Sequence, residues 1–181
     1  MVTHTTLVAV LFAVVAAQRS SEVYLSVRNA AWARRRGGRE VGARHYPWLV
    51  AMHVAWILAF PAEALWLGRP PPPVVTAAAL ATFLVAQVFR YAAIATLGRR
   101  WNTRIIVLPG EPPIRRGIYR HLRHPNYVAV VLELACVPIA VGAYATATLF
   151  TLLNLAALRF VRIPAEEAAL AAAARQPPEA R

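Results

Sequence analysis

Residues 117–127 read Gly117-Ile118-Tyr119-Arg120-His121-Leu122-Arg123-His124-Pro125-Asn126-Tyr127, the densest group of ionisable and hydrogen-bonding side chains in a mostly apolar chain. A long hydrophobic run follows at once. Pro125 suits the first position of a helix, where its fixed φ and missing N–H cost nothing, so the spacing predicts a helix that starts near His124. Arg120, His121, Arg123 and His124 then lie on the water side of its first turn, with Tyr127 just inside. The free N–H groups and positive dipole end of such a helix favour an anionic group. Read alone, the stretch also fits a juxtamembrane clamp for lipid phosphates.

Composition says which solvent surrounds that run. The chain of 181 residues is 59% hydrophobic, with a mean hydropathy of +0.46, which is far more apolar than a soluble domain of this size. All 20 basic residues are Arg and all 8 acidic ones Glu, for a net charge of +12. Nucleic acid is one partner for such a balance, but position argues for a membrane. Apart from Arg69 and Arg90, every arginine falls within 19–44, 99–123 or 159–181. Alternating topology puts those three segments on one side of a bilayer, and the positive-inside rule makes that side cytoplasmic. The one cysteine, Cys136, lies in an apolar run, so no intrachain disulfide forms and no cysteine-based metal cluster is expected.

Taken in order, residues 2–18 form a first span near the lower length limit. It has no basic residue before it and arginines after it, which predicts a retained helix rather than a secretory leader. Residues 20–44 are expected to lie on the cytoplasmic surface as an interfacial helix. A second span, 48–67, carries His53, Pro61 and Glu63; a proline-rich turn at 68–73 leads to a third, 74–97, with Gln87 and Arg90 on one face. Arg90 is expected to face the bundle interior or a wet cavity. Beyond the cytoplasmic segment 98–123, the runs 127–141 and 143–158 are each short for a crossing and meet at Gly142. They predict a tight hairpin that returns Tyr127 and Asn154 to the inner face. Pro164 then opens an Ala-rich terminal helix whose first turn holds Glu166 and Glu167, which on capping grounds alone complement its dipole. The resulting expectation is an all-α polytopic membrane protein with about five transmembrane helices and a short C-terminal cytoplasmic helix. Its organisation reads as an N-terminal membrane region (1–97), a site-bearing region (98–175) and a frayed tail (176–181).

Common soluble sites are excluded. The eight glycines contain no Gly-x-Gly pair, and there is no Asp, no Gly-x-Ser-x-Gly elbow and no His-Glu-x-x-His. What remains is two polar clusters, 117–127 and 159–167, flanking the hairpin.

Gly-x-Tyr-x-x-x-Arg-His-Pro-x-Tyr, an apolar hairpin, then Arg-x-x-Arg-x-x-x-Glu-Glu resembles the isoprenylcysteine carboxyl methyltransferase family and its phospholipid-methyltransferase relatives over roughly residues 98–170. The resemblance implies an integral membrane enzyme that binds S-adenosylmethionine on the cytosolic side. Carried over position by position, Tyr119, His121, Arg123, His124, Pro125 and Tyr127 correspond to the first motif, and Arg159, Arg162, Glu166 and Glu167 to the second. Cofactor binding is then expected from Tyr119, His121, His124, Pro125, Tyr127, Asn154, Arg162 and Glu166. Arg90, Arg123, Arg159 and Glu167 are the candidates at the reacting end, with no metal. Ala129 stands where the family often has Gly, and the residues after Glu167 lack the tyrosine-rich extension of many members. The all-Arg, Ala-rich composition suggests a GC-rich bacterial genome and an inner-membrane location. An alkyl phenol or quinol is then as reasonable an acceptor as an isoprenylcysteine-like carboxylate. Phospholipid N-methylation, a haem- or quinone-binding subunit using His53 with His121 or His124, and an inert lipid-binding protein are the rival readings.

Overall fold

The computed structural model describes residues 3–175, so the 176–181 tail lies outside the described residues. Six α-helices are present among the described residues: α1 (His4–Arg34), α2 (Tyr46–Leu67), α3 (Pro73–Leu97), α4 (Pro125–Ala140), α5 (Tyr144–Ala157) and α6 (Ile163–Ala174). Four helical stretches are long and apolar enough to cross a membrane, and α4 is a shorter apolar helix beside them. The chain is thus an all-α polytopic membrane protein, with one small addition. Strands β1 (Arg39–Val41) and β2 (Ile105–Val107) form an antiparallel ladder that pairs Glu40 with Ile106. Three residues are too few to show a period of two, so only the β-branched Ile105-Ile106-Val107 carried any strand signal.

Two boundaries differ from expectation. The first helix does not stop at Gln18 for an interfacial segment to begin; α1 runs unbroken for 31 residues, about 46 Å at the usual rise. Gln18, Arg19 and Glu22 resemble the end of a span in sequence, but they are satisfied by partners on other helices. Glu133 of α4, fully buried, accepts from Gln18 Nε2 at 3.2 Å, from Arg19 at 2.5 Å and from Arg90 of α3. Arg90 and Arg19 also pair with Glu22, at 3.1 and 2.9 Å. This ionic knot ties α1, α3 and α4 together inside the bundle, where polar groups persist only when paired. At the other end of the chain, α5 and α6 are one continuous rod joined by a π-helical segment, Leu158–Arg162. The expected separate terminal helix is therefore the last part of a long one.

The apolar core joins Val8, Leu11 and Val15 of α1, Trp56 and Phe60 of α2, Phe83 of α3, and Leu134 and Val137 of α4. Trp56 donates its indole N–H to Leu134 O at 3.2 Å. Alanines at the contacts, among them Ala64, Ala86, Ala93 and Ala129, are buried and allow close helix approach, as small residues do in membrane bundles. Leu58, Trp66, Leu84, Val88 and Leu152 instead face outward, an apolar surface that lipid covers.

At the outer end of the hairpin Gly142 turns with φ +80, and a Cβ there would meet Arg69 O at 2.6 Å. Glu63 reaches across from α2 to accept from the Ala145 and Thr146 amides at 3.0 and 2.7 Å. The carboxylate thus satisfies the orphan donors that open α5. The hairpin so fixed returns both polar clusters to the arginine-rich end.

Candidate active site at the arginine-rich end

The two clusters meet. Tyr127 of α4 donates its hydroxyl proton to Glu166 of α6, and Arg162 Nε donates to the same Tyr127 oxygen at 3.0 Å. One turn away, His124 Nε2 lies 3.2 Å from Glu167 Oε1, and the His124 and Tyr127 rings stack with centroids 5.3 Å apart. Arg162 is 6% exposed. Its other arm donates to Thr103 O at 2.6 Å, so the segment after α3 is held to the hairpin's far end. The π segment ends at Arg162; such bulges re-aim side chains and are frequent at functional sites.

Around these contacts is a cavity of about 880 Å³, within the range of small-molecule sites. Its walls come from the turn before α4 (Tyr119, Arg120, Arg123, His124), from α4 itself (Asn126, Tyr127), from α6 (Glu166, Glu167, Leu170), and from Trp101, Asn102 and residues 104–107. The Tyr119 turn needs glycine behind it: Gly117 has φ +54, and an added Cβ would lie 2.5 Å from Thr96 Oγ1. Burial, reinforced by the Glu166 charge, pushes the Tyr119 phenol well above its ordinary value. It therefore stays neutral and able to donate.

Of the expected residues, Tyr119, Arg123, His124, Tyr127, Arg162, Glu166 and Glu167 line the cavity. Five others do not. Arg90 is neutralised in the ionic knot by Glu133 and Glu22, so it is not free to hold an acceptor. Arg159 is exposed on the outside of the rod, its guanidinium 5.9 Å from the Phe160 ring centre. Asn154 is buried in α5 away from the cavity wall. His121 is exposed beyond the turn, and Pro125 is buried as the first residue of α4. The haem-type pairing fares no better, because His53 Nδ1 is within 2.8 Å of Leu49 O in its own helix and does not line the cavity with His124.

Sequence reasoning missed Trp101, Asn102, Arg104 and Asn126, all cavity residues. Asn126 occupied a variable place within the first motif, and the others lay in what read as a plain loop. Among the described residues, Asn126 Oδ1 and Trp101 Nε1 are buried without a hydrogen-bond partner. Both residues contribute to the cavity wall. The donor set also fits a zwitterionic nucleoside: arginines and a helix N-terminus for a carboxylate, two glutamates for an ammonium or hydroxyls, and an aromatic face for a ring.

A bundle of long apolar helices with a polar cavity at one end defines a polytopic integral membrane protein. The family model described as the isoprenylcysteine carboxyl methyltransferase (ICMT) family matches residues 79–172. The uncharacterized protein YpbQ of Bacillus subtilis (strain 168) is 38% identical over 160 residues, covering 88% of this chain and 94% of that protein. No solved structure matches. The chain belongs to the isoprenylcysteine carboxyl methyltransferase family and is a membrane methyltransferase.

Proposed function

We propose that the protein transfers a methyl group from S-adenosylmethionine to an oxygen of a lipophilic acceptor, at the cytoplasmic face of a bacterial inner membrane. The observation that carries this reading is the shared cavity, in which Tyr127 and His124 of one motif touch Glu166 and Glu167 of the other. The orientation follows from the arginines, which crowd the cavity end of the bundle.

Arg123 and the uncapped start of α4 suit the cofactor's carboxylate. Glu166 or Glu167 suits its ammonium or ribose hydroxyls, Asn126 Oδ1 can accept one more donor, and the Tyr127 ring can lie against the adenine or the sulfonium. The cofactor supplies an electrophilic methyl: an acceptor oxygen forms the new O–C bond as the C–S pair leaves with sulfur. The protein's own share is positioning and exclusion of water. Of the three arginines expected at the reacting end only Arg123 lines the cavity, and holding the cofactor's carboxylate it cannot also hold an acceptor's.

The test is incubation of purified protein in nanodiscs with methyl-labelled cofactor and bacterial lipid extract. Label should enter the organic phase only with the protein present. Release by mild alkali marks a carboxyl ester, whereas resistance marks an aryl ether. Absence of label in every lipid fraction would refute the reading.

A further inference from the structure

Helix α1 carries its buried polar residues at 18, 22, 26 and 29, steps of four, four and three that keep to one face of a helix. Gln18 and Glu22 belong to the ionic knot. Ser26 and Asn29 stand further along the same stripe, outside the residues that the family model matches. We propose that Ser26 and Asn29 are positioning residues for the cofactor cavity, which act through Thr103 on Arg162. The inference deepens the methyl-transfer reading and rests on it.

Residues 101–103 lie between a short 3-10 turn and β2, so their carbonyls fall outside any helix or ladder, and buried backbone groups need partners. The α1 stripe supplies them. Asn29 Nδ2 donates to Trp101 O at 2.7 Å. Ser26 Oγ accepts the Thr103 amide at 3.1 Å and donates to Asn102 Oδ1 at 2.7 Å. With its one proton committed there, Ser26 Oγ accepts from Thr103 Oγ1 at 2.7 Å, and Thr103 Oγ1 accepts from Tyr46 OH at 3.0 Å. Thr103 is thereby held at its amide and its hydroxyl, and its carbonyl takes the Arg162 guanidinium at 2.6 Å.

Through that last bond α1 reaches the site. Arg162 divides its donors between Thr103 O and the Tyr127 hydroxyl, and Tyr127 donates in turn to Glu166. Ser26 and Asn29 therefore set where Thr103 O stands, Thr103 O sets the guanidinium, and the guanidinium sets the phenol and the carboxylate at the cavity. At the surface the same junction is closed by Glu40 of β1, which accepts from Arg34 and Arg104 at 2.6 Å each. That pairing ties β1 to the end of α1 and the start of β2, and touches neither Thr103 nor Arg162.

The test is a double-mutant cycle, read as the affinity of the full-length protein in detergent for S-adenosylhomocysteine. Ser26→Ala and Asn29→Ala should each weaken binding about tenfold. Ser26→Thr keeps the hydroxyl and should stay within about twofold of wild type, because a pocket of about 250 Å³ beside Ser26 has room for the added methyl. Arg162→Lys keeps the charge, loses the forked donor and should also weaken binding about tenfold. In that background Ser26→Ala should add less than about threefold, since the two residues act along one route. A full further tenfold there overturns the route, as does unchanged affinity in both alanine variants. Hydrogen exchange without cofactor separates the tether from the methyl-transfer reading: peptides covering 101–104 and 158–167 should exchange faster in Ser26→Ala than in Ser26→Thr. That response, in a protein whose wild type binds no S-adenosylhomocysteine, overturns the reading above and leaves the tether standing. Equal exchange in the two variants overturns the tether.

Discussion

Tyr127 and Glu166 are 39 residues apart in sequence and hydrogen-bonded in the fold. Arg162 holds the same phenol from the other side. One hydroxyl thus positions the carboxylate and the guanidinium that flank the cavity. Tyr127→Phe removes that hydroxyl and keeps the ring. It should weaken S-adenosylhomocysteine binding about tenfold, or about 1.4 kcal/mol, as measured by calorimetry. The melting temperature should move little, because the ring and its stacking on His124 remain.

The π segment gives a sharper case. Deleting Val161 lets a regular helix continue, which turns everything beyond it by about 100° relative to α5. Glu166 and Glu167 leave the cavity while the apolar rod persists. The expected result is a protein that inserts and purifies normally but shows no calorimetric heat with S-adenosylhomocysteine. Unchanged binding would mean that the segment places neither glutamate.

The ionic knot and the surface pair should respond differently to the same kind of change. Glu133→Gln leaves Arg19 and Arg90 short of a partner inside the bundle, a class of change that costs about 3–5 kcal/mol. The melting temperature in detergent should fall by at least about 6 °C. Arg34→Gln, at an arginine side chain that is 52% exposed, should cost less than about 1 kcal/mol. Comparable losses in the two variants would contradict the burial argument.

Glu40 predicts an acid-sensitive junction. Burial raises its pKa, but hydrogen bonds and charge from Arg104 and Arg34 outweigh that, and the carboxyl ends below its ordinary 4.5. A group depressed in the folded state stabilises above its unfolded value and loses that contribution as pH falls through the folded one. Amides of strand 105–107, corrected for intrinsic exchange, should therefore be better protected in wild type than in Glu40→Gln at neutral pH. The difference should shrink as the pH falls below 4.5 and vanish once it is below the lowered folded-state value. A difference that persists there would remove Glu40 from the ladder's stability.

Much of this was legible in the chain. Apolar runs bounded by arginines gave the spans, and Pro125, Gly142 and Pro164 marked where helices begin or reverse. The spacing of the two motifs around a short hairpin implied that His124 and Glu167 would meet. The sequence was less informative wherever a polar residue was satisfied by a distant one. Gln18, Arg19 and Glu22 read as the end of a membrane span because Glu133 and Arg90, their partners, lie on other helices. Arg90 faces the bundle interior as expected, but its partners Glu22 and Glu133 lie on other helices and leave it unavailable to an acceptor. Arg159 and Arg162 look equivalent in the motif, yet the π segment leaves one outside and buries the other, and no local pattern announces a π bulge. Trp101 and Arg104 became cavity residues only because β1 and α1 hold the segment after α3 in place.

The central claim is that both motifs grip one small molecule. Titration of S-adenosylhomocysteine into detergent-purified wild type, His124→Ala and Glu167→Ala tests it most directly. Wild type should bind with measurable heat, and each substitution should weaken binding more than tenfold in protein that remains folded. No heat for wild type, or unchanged affinity in both variants, would contradict it.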